Sequence, residues 1–169
     1  MRFEDNGARL HRGETLISSD PSFQMDSVPE ELYEEVKMET DGEGKEYLNR
    51  LRESSRSVID YEESPSRGQE FRMSDWLESE MKGSCLERAF LLHGFHLLAD
   101  NDPDTEFEDL KPRIHVGYVD AGDSYGGHAW TSVEFGGERY ISDPMLASDD
   151  LQRFEDPEFR YQEDTLIVD

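Results

Sequence analysis

Lysine is scarce in this chain. Among 169 residues there are 17 basic ones, of which only Lys37, Lys45, Lys82 and Lys111 are lysine, against 41 acidic residues, for a formal net charge of -24. No cluster of Lys or Arg forms a basic patch, so nucleic acid and anionic lipid are excluded as expected partners. There is one cysteine, Cys85, which excludes an intrachain disulfide. Long apolar runs are absent. The longest, Ala89-Phe90-Leu91-Leu92, is far too short to span a membrane. The opening Met-Arg-Phe-Glu-Asp-Asn has no apolar h-region, so no signal peptide is expected. These absences predict a soluble protein that works inside a cell or in a particle assembled there. Zinc motifs of the Cys-x-x-Cys or His-Glu-x-x-His kind are also missing. His93 and His96 share a helix face at i, i+3, but zinc takes four placed ligands, so neither a metal nor another cofactor is expected.

What is present is unevenly spread. Hydrophobic residues make up 34% of the chain, below the usual globular share. They concentrate between Phe71 and Tyr140, and the first seventy residues are poor in them. The length suits one domain with extensions: a polar, acidic segment 1–70 with short helices, a core over 71–145, and a C-terminal segment 146–169. The acids are distributed along the whole chain rather than gathered in a tail. An acidic surface with few lysines is the pattern of proteins from salt-loving microbes. In molar salt the Debye length is only about 3 Å, so so much like charge no longer strains the fold.

Pro29-Glu30-Glu31 predicts a helix start, with Leu32, Tyr33 and Val36 as its apolar stripe. Tyr47, Leu48 and Leu51 predict a second helix ending near Asp60. Ser74 reads as the N-cap of a short helix carrying Trp76, Leu77 and Met81. After Gly83 a helix from Ser84 or Cys85 to about Ala99 is too apolar for a surface position and is predicted to be the central buried one. The period then changes from helical to alternating. Strands are predicted at about 113–119, 128–135 and 138–141, the last two joined by Gly136-Gly137, with an edge strand at 165–168. Helices followed by an antiparallel sheet predict an α+β fold.

Three residues carry the chemistry. Cys85 opens the buried helix, where the dipole and the loose N–H groups favour its thiolate. His128 lies in Gly126-Gly127-His128-Ala129-Trp130, near the start of a strand. An imidazole beside the thiol would take its proton and give a thiolate–imidazolium pair. Asp143 ends the next strand, in Tyr140-Ile141-Ser142-Asp143-Pro144. A carboxylate there can accept from the other ring nitrogen and fix its tautomer. Each has an ordinary alternative: a buried structural cysteine, a strand histidine, an Asp-Pro turn. The three together, on a helix start and two hairpin-linked strands, are hard to explain by those alternatives.

Gly83-Ser84-Cys85, Gly117-Tyr118 in a strand, His128-Ala129-Trp130 followed by Val133-Glu134, and Asp143-Pro144 together resemble the transglutaminase-like group of papain-type cysteine hydrolases. The likeness covers about residues 71–145. Leu86 stands where many members have an aromatic residue, and Asp100–Asp109 is an acidic insert. The resemblance implies a papain-type α+β core in which Cys85, His128 and Asp143 form a catalytic triad. It implies acyl transfer on a protein or peptide substrate: peptidase, amidase or deamidase, or crosslinking activity. For the oxyanion, the Cys85 N–H is one expected donor, and Trp76 or Gln69 supplies a candidate for the other. Trp130 is expected to pack against the site rather than react. The rival reading is a non-catalytic component of a larger assembly, such as a virus particle of salt-loving archaea. In that reading the polar segment 1–70, too poor in apolar residues to offset its own ordering, is held by other protein chains.

Overall fold

A computed structural model describes residues 23–24, 29–40, 43–61, 71–72, 82–83, 85–120, 125–145, 151–153 and 160–167. In chain order the elements are β1 (Phe23–Gln24), α1 (Glu30–Glu39), α2 (Gly44–Val58), β2 (Asp60–Tyr61), β3 (Phe71–Arg72), β4 (Lys82–Gly83), α3 (Cys85–Asp100), β5 (Arg113–Asp120), β6 (Tyr125–Phe135), β7 (Glu138–Ser142), β8 (Gln152–Arg153) and β9 (Arg160–Ile167). The fold is α+β. A five-stranded antiparallel sheet in the order β8-β7-β6-β5-β9 carries the helices on one face, and two short parallel pairs, β1 with β3 and β2 with β4, lie outside it.

The helices begin and end for local reasons. Pro29 caps α1, Glu30 and Glu31 fill its first turn and Lys37 its last, so the charges follow the dipole. The α2 helix presents Tyr47, Leu48, Leu51, Arg52 and Ser55 on one buried face, the i, i+4, i+8 pattern of an amphipathic helix. It starts at Gly44 with φ +58°, and a Cβ there would come within 3.0 Å of the Phe135 ring. Glycine is required by both the conformation and the close approach.

The α3 helix is apolar all round because it is covered on both sides. Ala89, Phe90, Leu91, Leu92, Phe95 and Ala99 are buried between the sheet and the α1–α2 pair. Each buried Leu or Phe contributes roughly 1.5–3 kcal/mol of transfer free energy, which makes this helix the centre of the core. Tyr33, Val36, Tyr47, Leu48, Leu51 and Ile59 belong to the same cluster, so these side chains of the polar N-terminal stretch join the common core. His93 and His96 are fully buried within α3.

The acidic insert is fastened down by its own carboxylates. Asp100 accepts the Leu110 N–H at 2.8 Å, and Asp102 accepts from Tyr33 Oη at 2.8 Å and from Lys37 Nζ. Phe107 packs between Tyr47 and Phe135. Among the strands, β6 starts three residues ahead of His128, and β9 starts five residues ahead of the expected edge strand and pairs along β5. No helix among the described residues is long and apolar enough to cross a membrane.

Candidate active site

The site is assembled where three elements meet. Cys85 is the first residue of α3. Gly83, two residues before it, pairs in parallel with Tyr61, which ties the entry of α3 to the exit of α2. His128 lies within β6 opposite Gly117, and β5 shifts register against β9 between Val116 and Gly117. Such irregularities re-aim neighbouring strand residues. Asp143 follows β7 directly, one residue past the Thr131–Ser142 pair. Cys85, His128 and Asp143 are all buried.

His128 Nε2 lies 2.6 Å from Asp143 Oδ2. The carboxylate uses both oxygens, because Oδ1 accepts the Met145 N–H at 2.9 Å in an Asx turn. On the other side of the ring, His128 and the Ala129 backbone N–H both act on Cys85 to favour its thiolate. With Nε2 engaged by Asp143, Nδ1 is the ring nitrogen left for the thiol.

The charges reinforce this arrangement. Burial pushes the His128 imidazole down, but the Asp143 charge and hydrogen bond, with Cys85, overcome it and carry the group up to about 10. Burial pushes the Cys85 thiol up, and Asp143 does the same. The hydrogen bond and charge of His128 and the Ala129 N–H outweigh both and leave the thiol below its ordinary range. An anionic sulfur beside a cationic imidazole is the electrostatically favoured state.

Trp130 is buried and stacks on His128, with centroids 5.9 Å apart and planes 15° apart. Trp76 and Gln69 lie outside the described residues. Two contributors were not read from sequence. Arg52, buried on α2, reaches the Asp143 carbonyl oxygen at 3.4 Å. Its signal was there to find: an arginine on the Leu48, Leu51, Ser55 face sits where an apolar residue belongs. The second is the Ala129 N–H, which no side-chain pattern could reveal. Among the described residues, no three His, Cys, Asp or Glu side chains come together as a metal site.

No family model and no curated protein matches the chain. Among solved structures, it is similar to Legionella pneumophila LapG at 14% identity and a TM-score of 0.46, over 82% of this chain and 74% of that one. A structure described as a TGase aligns at 12% identity and a TM-score of 0.45, over 80% of this chain but only 38% of its own length.

Proposed function

We propose that the chain is a transglutaminase-like cysteine acyl-transfer enzyme acting on a protein or peptide amide, with Cys85 as nucleophile, His128 as acid–base and Asp143 as the group that orients it. What supports this reading is a cysteine at the start of α3 whose thiolate His128 favours, with that same imidazole 2.6 Å from the buried Asp143 carboxylate. The thiolate attacks the amide carbonyl carbon, and the carbonyl π electrons move to oxygen. The resulting oxyanion lies near the first N–H groups of α3, which no carbonyl of the helix itself can satisfy. Collapse breaks the C–N bond, and the imidazolium gives its proton to the departing amine. This leaves a thioester on Cys85 and a neutral imidazole. Water, deprotonated by His128, then releases the acid. A lysine amine taking the place of water would leave an isopeptide bond.

Iodoacetamide labelling of Cys85 in molar salt, followed across pH, tests the proposal. The activated thiol should react well below pH 8, His128→Ala should abolish that advantage, and Cys85→Ser should remove any amidase or crosslinking activity with the fold intact. Reactivity that rises only near pH 8.5, as for an ordinary thiol, favours the non-catalytic assembly component instead.

A further inference from the structure

The β5–β6 register sets His115 opposite Trp130, and Trp130 stands two residues from His128, on the same side of its strand. Three aromatic rings result, nearly parallel, with Trp130 packed against both histidines. His115 stacks on Trp130 at 5.6 Å and 10°, and Trp130 on His128 at 5.9 Å and 15°. All three are buried. The His115 ring is fixed by hydrogen bonds. His115 Nε2 lies 2.6 Å from Ser132 Oγ, and Arg139 donates to the same oxygen at 2.8 Å. Arg139 is itself held by the Lys111 carbonyl at 3.2 Å and by Glu134 at 3.6 Å.

We propose that His115 is a positioning residue for His128: an imidazole, anchored through Ser132 to Arg139, that packs against Trp130 and so steadies the indole that in turn holds the His128 ring toward Cys85 and Asp143. This rests on the proposed function. The indole face favours the imidazolium at His128. His128 is faced by Cys85 from α3, Asp143 from the turn after β7 and Trp130 on its own strand. His115 is faced by Trp130, Ser132 and, through Ser132, Arg139. Without that packing the indole can tilt and the imidazole with it. The Cys85–His128 bond then lengthens before the fold is lost.

The test is the pH profile of Cys85 alkylation by iodoacetamide in wild type, His115→Ala, His115→Phe and Ser132→Ala, each with its thermal midpoint. His115→Ala should move the reactive limb up by about one pH unit, which is about tenfold in rate at pH 6. His115→Phe keeps a flat ring on Trp130 and should restore the profile to within about threefold of wild type by the same conversion. If His115→Ala does not fold, Ser132→Ala decides. It removes the Ser132 hydrogen bond from the His115 ring and should shift the limb in the same direction. A variant that loses thermal stability but keeps the wild-type profile makes His115 merely structural and overturns the inference. So does a His115→Phe as slow as His115→Ala. A wild-type protein with no low-pH limb removes the proposed function first and this inference with it, whereas a limb indifferent to all three variants removes the inference alone.

Discussion

Replacing Asp143 by Asn changes one atom and should dismantle the nucleophile. The aspartate serves two donors at once, the Met145 N–H on Oδ1 and the His128 Nε2–H on Oδ2. Asparagine has one acceptor oxygen. If it keeps the Asx turn, its amide N–H groups face Nε2, which must then give up its proton. The hydrogen moves to Nδ1, the nitrogen that faces the thiol, and the imidazole can no longer take the thiol proton. The charge argument runs the same way. Burial pushes His128 down and the Asp143 charge is the largest influence raising it to about 10, so its removal brings the imidazole well down from that value. At pH 6 an ordinary thiol is about 0.3% ionised, so against a pair fully ionised at that pH its loss costs roughly 300-fold in thiolate. The more basic thiolate is intrinsically more nucleophilic and returns about tenfold, for a net loss of about thirtyfold. The assay is iodoacetamide alkylation at pH 6 in molar salt, with circular dichroism to establish that the fold persists. A folded Asp143→Asn protein that alkylates within twofold of wild type would refute the reasoning.

Further outcomes follow from the rest of the structure. Burial and the neighbouring His93 hold His96 down to about 3. Against an unfolded value of about 6.5 the unfolded chain binds the extra proton, so stability is intact above 6.5 and falls as the pH drops toward 3, by about 5 kcal/mol in all; His96→Leu should move the acid-unfolding midpoint to lower pH. Leu51 is fully buried in the common cluster, so Leu51→Ala should cost about 2–5 kcal/mol by chemical denaturation, as much as Leu91→Ala in the central helix. An equal result at neutral cost would mean that α2 is dispensable to the core. Tyr33→Phe removes the hydroxyl that accepts from Tyr47 and donates to Asp102, and should cost about 1–3 kcal/mol because the Tyr47 hydroxyl is left buried without its acceptor. At a net charge of -24, raising KCl from 0.1 to about 2 M should raise the thermal midpoint, since screening relieves the self-repulsion; a midpoint that falls with salt would contradict the expectation of a protein adapted to salt.

The elements legible from sequence are those whose pattern is set by burial on one or two faces. The concentration of apolar residues between Leu86 and Leu98 marked the central helix, and the alternation through Ile114–Val119 and Ala129–Val133 marked the two middle strands. Strand ends were less visible, because β6 begins in Tyr125-Gly126-Gly127 and β9 in Arg160-Tyr161-Gln162-Glu163, where polar and small residues hide the period. Cys85, His128 and Asp143 could be singled out because each stands beside a glycine, a proline or a helix start. His115 and the Ala129 N–H could not, since they act through tertiary proximity across β5 and β6, and spacing along one strand carries no record of which strand lies beside it; Arg52 left only the mark of an arginine on an otherwise apolar helix face.

The central claim is an ionised thiol held by His128. Because Cys85 is the only cysteine in the chain, thiolate absorbance near 240 nm reports that one group without ambiguity. Titrating the wild type against Cys85→Ser in molar salt measures it directly. The account predicts a difference absorbance already present near pH 6 and lost in His128→Ala; a difference that appears only at about pH 8.5 and above, unchanged by His128→Ala, would contradict it.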